Sequence, residues 1–240
     1  MKKLYGWTGK LLRVDLTTRK VVEQDTGDNG FKFIGGRGLG EKLYWDLWSS
    51  EWEAFHPESA LIVMTGPLAA TSAPSASRWL ICGKSPSLYP ENFASTNLGG
   101  FFGARLKKAG YDGLIIQGKA DDKVYLFISN GGVEIRKASH LWGLPVSQTM
   151  QAIRGEVGKQ AAIFTTGVAG ENGVRFATLA TDAGGSGSVG FGAVMGSKNV
   201  KAIAVNGTGT ISVADPGAIQ GIRQEIKQMT GEGYFLSLIH

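Results

Sequence analysis

Cysteine and histidine are scarce in this sequence, and neither occurs at a metal-binding spacing. Cys82 is the single cysteine among 240 residues, and the three histidines are scattered. One thiol excludes an internal disulfide, a four-cysteine iron–sulfur cluster and a zinc finger within this sequence. Cys82 ends the apolar run Trp-Leu-Ile-Cys and is predicted to be a core residue. Paired carboxylates and a Gly-x-Ser-x-Gly elbow are also lacking, so we expect a cofactor to supply any chemistry.

Long apolar runs and clustered charge are lacking as well. The longest apolar runs, such as residues 61–64, are far too short to span a membrane, and no signal-peptide pattern opens the chain. We therefore expect a cytoplasmic protein without a membrane partner. The formal net charge is +5, but its basic residues are scattered, which argues against a nucleic-acid partner. A basic balance also suits a ligand that carries several phosphates.

Glycine, in contrast, is abundant. It accounts for 36 of 240 residues, roughly twice its usual share, without a collagen period or a linker-like run. The glycines therefore indicate tight turns or close approaches of backbone to another group. The run Gly-Gly-Arg-Gly-Leu-Gly at residues 35–40 matches a dinucleotide fingerprint only loosely, because it follows no clear strand, and we reject a Rossmann domain.

Hydrophobic periodicity and turn signals predict an α+β fold. Strands are predicted at residues 10–16, 21–25, 61–64, 79–82, 114–117, 124–128, 133–136, 161–165, 175–180 and 202–206. Helices are predicted after Gly35, over residues 145–157, and from Asp215 to about Met229. Some strands are joined by glycine turns and others by helices, which favours α+β over strict βαβ alternation.

An internal repeat relates two parts of the chain at an offset of 89 residues. Phe-Gly-Ala at Phe102 matches Phe-Gly-Ala at Phe191, and residues 114–118 fall on residues 203–207. Each copy is predicted to be a loop, a short helix and an apolar strand that ends in Asn/Gln-Gly. A further strand that begins near Thr65 is predicted to echo one near Thr166. The pattern alone leaves open whether the duplication has a function.

A glycine-rich loop is predicted before each copy. Asn97-Leu98-Gly99-Gly100 falls on Ser186-Gly187-Ser188-Val189. Glycine just before a helix lets backbone N–H groups and the helix dipole converge on an anion, so two such loops would hold two phosphates. Asn97 and Ser186 fall on each other, and each offers a neutral oxygen of the kind that suits Mg²⁺.

Arg78 follows a polar, turn-forming segment and precedes an apolar strand. Its guanidinium could form a fork with a phosphate or a ring carbonyl. The alternative is an ordinary surface arginine at a strand edge, and the sequence pattern alone favours that alternative.

Several motifs together resemble one enzyme family. They are Trp7-Thr8-Gly9-Lys10, Gly36-Arg37-Gly38-Leu39, Gly66-Pro67-Leu68, Gly99-Gly100-Phe101-Phe102-Gly103, Ala109-Gly110-Tyr111-Asp112, Gly170-Glu171-Asn172 and Gly192-Ala193-Val194-Met195-Gly196-Ser197-Lys198-Asn199. From about Trp7 to Asn206, in order and spacing, the chain is similar to the N-terminal domain of the tungsten-containing aldehyde:ferredoxin oxidoreductase family.

The resemblance implies a fold and an activity. The expected fold is an α+β unit of two similar, pseudo-symmetric halves with mixed and antiparallel sheets and short helices, which forms the base under a bis-pterin cofactor. The expected domain spans residues 1–209, with the duplication at about 97–118 and 186–207, and residues 210–240 begin a helical C-terminal part. The implied activity is oxidation of aldehydes to carboxylic acids by a tungsten or molybdenum bis-pterin, with electrons passed to a ferredoxin-like acceptor.

The resemblance also assigns site residues, none of them catalytic. Arg78 and Gly99 match positions that contact the pterin, and Gly185, Gly187 and Ser188 fall on the second pterin loop. Asn97 matches a magnesium ligand, and Ser186 matches a position whose backbone carbonyl binds the same ion. That ion bridges the pterin phosphates.

Two departures from the family pattern leave alternatives open. Ser188 stands where the family has an arginine, and its loop is one residue shorter. The family's [4Fe–4S] cluster is held by cysteines of a C-terminal part that this sequence lacks, so we expect further domains or a partner subunit. The chain is interpreted as the cofactor-binding part of such an enzyme, as a non-catalytic pterin-binding or assembly module, or as a domain without a ligand. The substrate, the metal and any homo-oligomer stay open.

Overall fold

The structure is a computed structural model, and it describes residues 5–130 and 132–237. Its strands are β1 (Lys10–Asp15), β2 (Lys20–Asp25), β3 (Leu61–Thr65), β4 (Trp79–Ser85), β5 (Asn92–Leu98), β6 (Gly113–Gln117), β7 (Val124–Ser129), β8 (Gly132–Lys137), β9 (Ala162–Thr166), β10 (Leu179–Thr181), β11 (Ser186–Gly187) and β12 (Val200–Asn206). Its helices are α1 (Gly27–Phe33), α2 (Gly36–Leu47), α3 (Phe102–Lys108), α4 (Val146–Val157), α5 (Val168–Glu171), α6 (Phe191–Ser197) and α7 (Pro216–Ser237).

The strands form two six-stranded sheets with the same topology. The first sheet has the order β2-β1-β6-β3-β4-β5, and the second has the order β8-β7-β12-β9-β10-β11. In each sheet one pair is parallel, β1 with β6 and β7 with β12. The other pairs are antiparallel. These two mixed sheets with short helices confirm the predicted α+β fold of two similar halves.

The core consists of three apolar layers, one between the two sheets and one on the outer face of each sheet. The central layer lies between the sheets and contains the buried faces of α3 and α6, with Phe102 and Phe191 fully buried. The helix α2 covers the outer face of the first sheet through Leu39 and Leu43. The helix α4 covers the outer face of the second sheet through Ile153. The central strands are therefore buried on both faces, which explains their continuous apolar runs.

Several of the local predictions differ from the structure. Residues 92–98 form strand β5, because they pair along their whole length with β4, so Asn97 and Leu98 lie in a strand where the sequence predicts a loop. The strand predicted at 175–180 is shortened to β10. Thr65 and Thr166 end their strands and do not begin new ones. Helix α1 has no counterpart in the predictions, and α7 runs past the expected Met229.

Candidate functional site

Asn97 and Ser186 occupy the same position in the two sheets. Asn97 is the second-last residue of β5 and lies opposite Leu80 of β4. Ser186 is the second-last residue of β11 and lies opposite Ala180 of β10. Both are exposed, at the edge of their sheet. Backbone pairing therefore relates the two residues. Both lie in strands, however, and the loops predicted from Asn97 and from Ser186 begin in the structure only at Gly99 and Ser188.

The edges of the two sheets meet beside these residues. A β carbon on Gly187 would lie 3.0 Å from Thr96 Cγ2 and 3.1 Å from Leu98 Cδ2, so the backbone of β11 lies against these side chains of β5. The Ser188 amide donates to Thr96 Oγ1 at 3.3 Å. Side chains alternate along a strand, so Asn97 lies on the face of β5 opposite to Thr96 and Leu98. We call residues 96–100 and 181–188 the junction.

Glycine backbone from each half meets at the junction. A β carbon on Gly185 would lie 3.5 Å from the Gly99 nitrogen and 2.9 Å from Thr181 Oγ1. Trp79 Nε1 donates to the Gly99 carbonyl at 3.0 Å, and this contact holds the end of β5. The Thr181 amide donates to the Gly185 carbonyl at 2.8 Å, which closes the turn between β10 and β11. The junction thus brings Gly99 and Gly185 together.

Arg78 lies at the same end of the first sheet. Trp79 pairs with Leu98, so one further step in the same register places Arg78 opposite Gly99. The Arg78 side chain is exposed. An exposed guanidinium beside two glycine turns can bind an anion, and it is also compatible with an ordinary strand edge.

The helix starts contribute less to an anion site than the sequence predicted. Helices α3 and α6 begin with the buried residues Phe102 and Phe191. In the first turn of α6, the Gly192 amide already donates to the Ala177 carbonyl at 3.0 Å. The dipole argument for α6 is therefore weakened, because one of its free N–H groups is occupied by protein. The exposed groups lie earlier in the chain, at the strand ends.

Sequence reasoning missed the residues of the β10–β11 turn that support the junction. The Asp182 side chain is 5% exposed, and its Oδ2 accepts hydrogen bonds from the Ile163 amide at 3.1 Å and from Arg154 Nη2 at 3.3 Å. Burial raises the pKa of the Asp182 carboxyl, and these hydrogen bonds oppose the rise only in part. A lone aspartate after a short strand carried no signal, because its burial depends on contacts distant in sequence.

A cavity of about 260 Å³ opens beside the junction. It is lined by the polar segment of residues 72–77, by Gly100 and Ala183 from the two loops, and by Phe101 and Arg223. The polar segment stands out in the sequence for its turn-forming residues, whereas Arg223 of α7 does not. The cavity has room for part of an organic ligand and places one cation at its wall.

Cys82 lies in the core, as the sequence predicted. Cys82 is fully buried, and burial raises the pKa of its thiol, so it is a core residue. Among residues 5–130 and 132–237, no cluster of three or more His, Cys, Asp or Glu side chains could hold a metal ion. In the same residues, no helix is long and apolar enough to cross a membrane.

Comparison with known proteins identifies relatives that match most of this chain. The family model for the N-terminal domain of aldehyde ferredoxin oxidoreductase matches residues 11–207. The tungsten-containing aldehyde ferredoxin oxidoreductase of Pyrococcus abyssi is 44% identical over 94% of this chain. An aliphatic sulfonate oxidoreductase WOR-like subunit of Pyrococcus furiosus is 40% identical over 87% of the chain. The chain spans 38% and 36% of the length of these two relatives.

A solved structure shares the same architecture. The active site complex BamBC of benzoyl coenzyme A reductase, in complex with 1,5-dienoyl-CoA, matches with a TM-score of 0.90 and 37% identity. The match covers 94% of this chain and 35% of that one. These relatives are oxidoreductases that differ in substrate. The family match over most of the chain and the shared two-sheet architecture show that this chain belongs to the aldehyde ferredoxin oxidoreductase family, whose N-terminal domain it contains.

Proposed function

We propose that this chain is the cofactor-binding base of a tungsten or molybdenum oxidoreductase that converts aldehydes to carboxylic acids. The observation that carries the proposal is the junction, where equivalent edges of two equivalent sheets meet and Gly99 lies close to Gly185. A bis-pterin cofactor has two similar halves, and we assign one half to each of the two equivalent strand ends.

Asn97 and Ser186 would hold the magnesium ion of such a cofactor. Asn97, through its side chain or backbone, and the Ser186 carbonyl offer neutral oxygens at equivalent exposed positions. Mg²⁺ prefers such hard ligands and usually keeps several waters while it bridges phosphates. No acidic cluster competes with the phosphates for the ion in the described part of the chain.

The other site residues are proposed to bind and orient the pterins. A β carbon added to Gly99 would meet no heavy atom within 4 Å, so a ligand can approach the Gly99 backbone closely. Arg78 supplies a positive charge beside it, and Gly185, Gly187 and Ser188 line the second strand end. When bound, the metal–pterin group supplies the two-electron redox chemistry, and these residues hold it in place.

Electron transfer and substrate selection are assigned to regions outside this chain. Its single, buried cysteine cannot ligate an iron–sulfur cluster of four thiolates. In the longer relatives the remaining length is available for that cluster and for the substrate pocket. We therefore propose that a ferredoxin-like acceptor and an aldehyde interact with those further domains or with a partner subunit.

The substitution Asn97→Ala tests the magnesium site. In the full-length protein loaded with tungstate, it is expected to weaken cofactor retention about tenfold, equivalent to ~1.4 kcal/mol, through the loss of an oxygen ligand. Arg78→Ala is expected to weaken it by roughly 10–100-fold, the range for a hydrogen bond to a charged group. Tungsten and pterin content after dialysis measure both effects.

Matched controls are available at exposed positions outside the junction. Asn92→Ala removes an exposed asparagine from the other end of β5, and Arg37→Ala removes an exposed arginine from α2. Both controls should retain cofactor as the parent does. Pterin without metal in the parent would favour a non-catalytic binding module, and neither component after reconstitution would favour a domain without a ligand. Equal retention in Asn97→Ala, Arg78→Ala and the parent would refute the site assignment.

A further inference from the structure

The buried carboxylate of Asp182 attaches the turn between β10 and β11 to the second sheet. The Asp182 amide donates to the Ile163 carbonyl at 3.1 Å, and Asp182 Oδ2 accepts from the Ile163 amide at 3.1 Å. The turn is therefore tied at two points to β9, a central strand of its sheet. Arg154 of α4 adds a third tie, with Nη2 at 3.3 Å from the same oxygen.

The same turn makes the contact with the first half. Gly100 adopts a left-handed φ of +87°, and a β carbon there would lie 2.9 Å from Ala183 Cβ and 3.4 Å from Asp182 Oδ1. Asp182 thus lies next to the place where Gly100 of the first loop packs against Ala183 of the second. A shift of the carboxylate would move Ala183 and Gly185 relative to Gly99 and Gly100.

Two polar atoms of this pair are buried without a partner. Within the described residues, Asp182 Oδ1 and Arg154 Nε have no hydrogen-bond partner, although the side chains already meet through Oδ2 and Nη2. A guanidinium presents Nε and one Nη as a fork that matches the two oxygens of a carboxylate. Buried polar atoms rarely stay unpaired, so a small rotation into this fork is favoured.

We infer that Arg154 and Asp182 are positioning residues, which set the second cofactor loop against the first through a forked ion pair. This inference rests on the proposed function, since it takes the junction to be the cofactor site. Neither side chain needs to touch the cofactor. The pair acts on the spacing between Gly99 and Gly185, and hence between the two strand ends that carry Asn97 and Ser186.

The test compares two variants of the pair with a variant of a second ion pair in the same half. Glu171 and Lys201 form an ion pair in the same half, with side chains 3% and 0% exposed, and neither hydrogen-bonds to the junction. In the full-length protein loaded with tungstate, Asp182→Asn and Arg154→Met are each expected to lose pterin at least fivefold faster than the parent. Glu171→Gln should lower the melting temperature but lose pterin at the parent's rate.

A second measurement does not require cofactor. Hydrogen exchange of the same proteins should show amides of residues 99–101 and 183–186 exchanging at least fivefold faster in Asp182→Asn and Arg154→Met, but not in Glu171→Gln. Arg154 is 36% exposed, so Arg154→Met tests the pair even where Asp182→Asn folds poorly. Parent-like exchange in Arg154→Met, or equal effects of Glu171→Gln, would overturn the inference. A parent without pterin would refute the proposed function, while the exchange measurement would still decide whether the pair positions the loops.

Discussion

The glycines at the junction differ in the free space around them. Substitutions at different glycines can therefore change cofactor binding and the stability of the fold separately. A β carbon added to Gly99 would point into open space, whereas one added to Gly185 would point at Thr181 Oγ1 and the backbone of Gly99. Thr181 cannot move away freely, because its hydroxyl accepts from the Gly185 amide at 3.1 Å. The two positions therefore respond differently to the same added methyl group.

The paired substitutions Gly99→Ala and Gly185→Ala test this difference. Gly99→Ala should change the free energy of unfolding by no more than about 0.5 kcal/mol. It should nevertheless weaken cofactor retention, because the methyl group occupies the space proposed for the pterin. Gly185→Ala should destabilise the fold by roughly 1–3 kcal/mol through overpacking. Denaturant unfolding and pterin content measure the two effects, and a Gly99→Ala protein with full cofactor retention would contradict the assignment.

Lys198 is a buried titratable residue that joins the two halves. Its side chain, 1% exposed, donates from Nζ to the Pro57 carbonyl at 2.5 Å and to the Gly118 carbonyl at 3.2 Å. Burial lowers the pKa of Lys198 to about 7, and the nearby Glu58 opposes this only in part. The amine therefore titrates at a lower pH in the folded chain than in the unfolded chain.

The sign of the pH effect follows from this shift. Between pH 7 and the unfolded pKa of 10.5, the unfolded chain binds the extra proton, so the free energy of unfolding rises with pH. The contribution of Lys198 is at most about 1.4 kcal/mol per pH unit. Lys198→Met should flatten the slope, measured by urea unfolding from pH 7 to 10. An unchanged slope would show that Lys198 keeps its ordinary pKa.

At the scale of secondary-structure elements, helices α5 and α6 pack so closely that their backbones lie next to each other. A β carbon on Gly196 would lie 2.0 Å from the Gly170 carbonyl oxygen, and one on Gly170 would lie 2.4 Å from the Gly192 carbonyl oxygen. Close helix packing of this kind requires glycine, because backbone atoms cannot give way as a flexible side chain can. The contact holds α6 close against α5.

Alanine at two helical glycines should have opposite effects. Gly196→Ala is expected to destabilise the fold by roughly 1–3 kcal/mol or more, since the clash is with backbone. Gly155→Ala, at an exposed site in α4 with no atom within 4 Å, should stabilise it by about 0.5–1 kcal/mol through helix propensity. Thermal unfolding of the two variants measures both. Similar shifts in the same direction would contradict the packing argument.

At the scale of the whole molecule, the two halves share one aromatic core. Phe164 of the second sheet lies 5.2 Å from Trp79 and 4.7 Å from Phe102 of the first half, measured between ring centroids. Such pairs contribute about 0.5–1.5 kcal/mol each beyond their buried area. The halves are therefore expected to unfold together, although each has its own sheet.

The substitution Phe164→Leu tests this coupling. It should destabilise the chain by about 1–3 kcal/mol. It should also lower the hydrogen-exchange protection of β3 and of β12 by the same factor, because the two strands are expected to unfold together. Exchange measured at both strands in the parent and variant would show it. A loss of protection confined to β12 would mean that the halves unfold separately.

Much of the fold could be predicted from the sequence, because the central strands are continuous apolar runs. Residues 61–64 and 114–117 indicate buried strands without reference to any partner. Residues 92–98, Asn-Phe-Ala-Ser-Thr-Asn-Leu, carry no such pattern, since β5 is an edge strand that is mostly half-exposed. Its conformation is decided by hydrogen bonds to β4, which is why the sequence predicts no strand there and a loop at Asn97 and Leu98.

The sequence by itself determined the repeat at 89 residues, the family resemblance and the candidate residues Asn97 and Ser186. Those features depend on residue type and spacing along the chain. Only the tertiary structure decided that the two sheet edges meet, that Gly99 lies close to Gly185, and that Asp182 is buried beside them. These contacts join residues about 80 positions apart, and the packing of two sheets around one core, rather than any local pattern, brings them together.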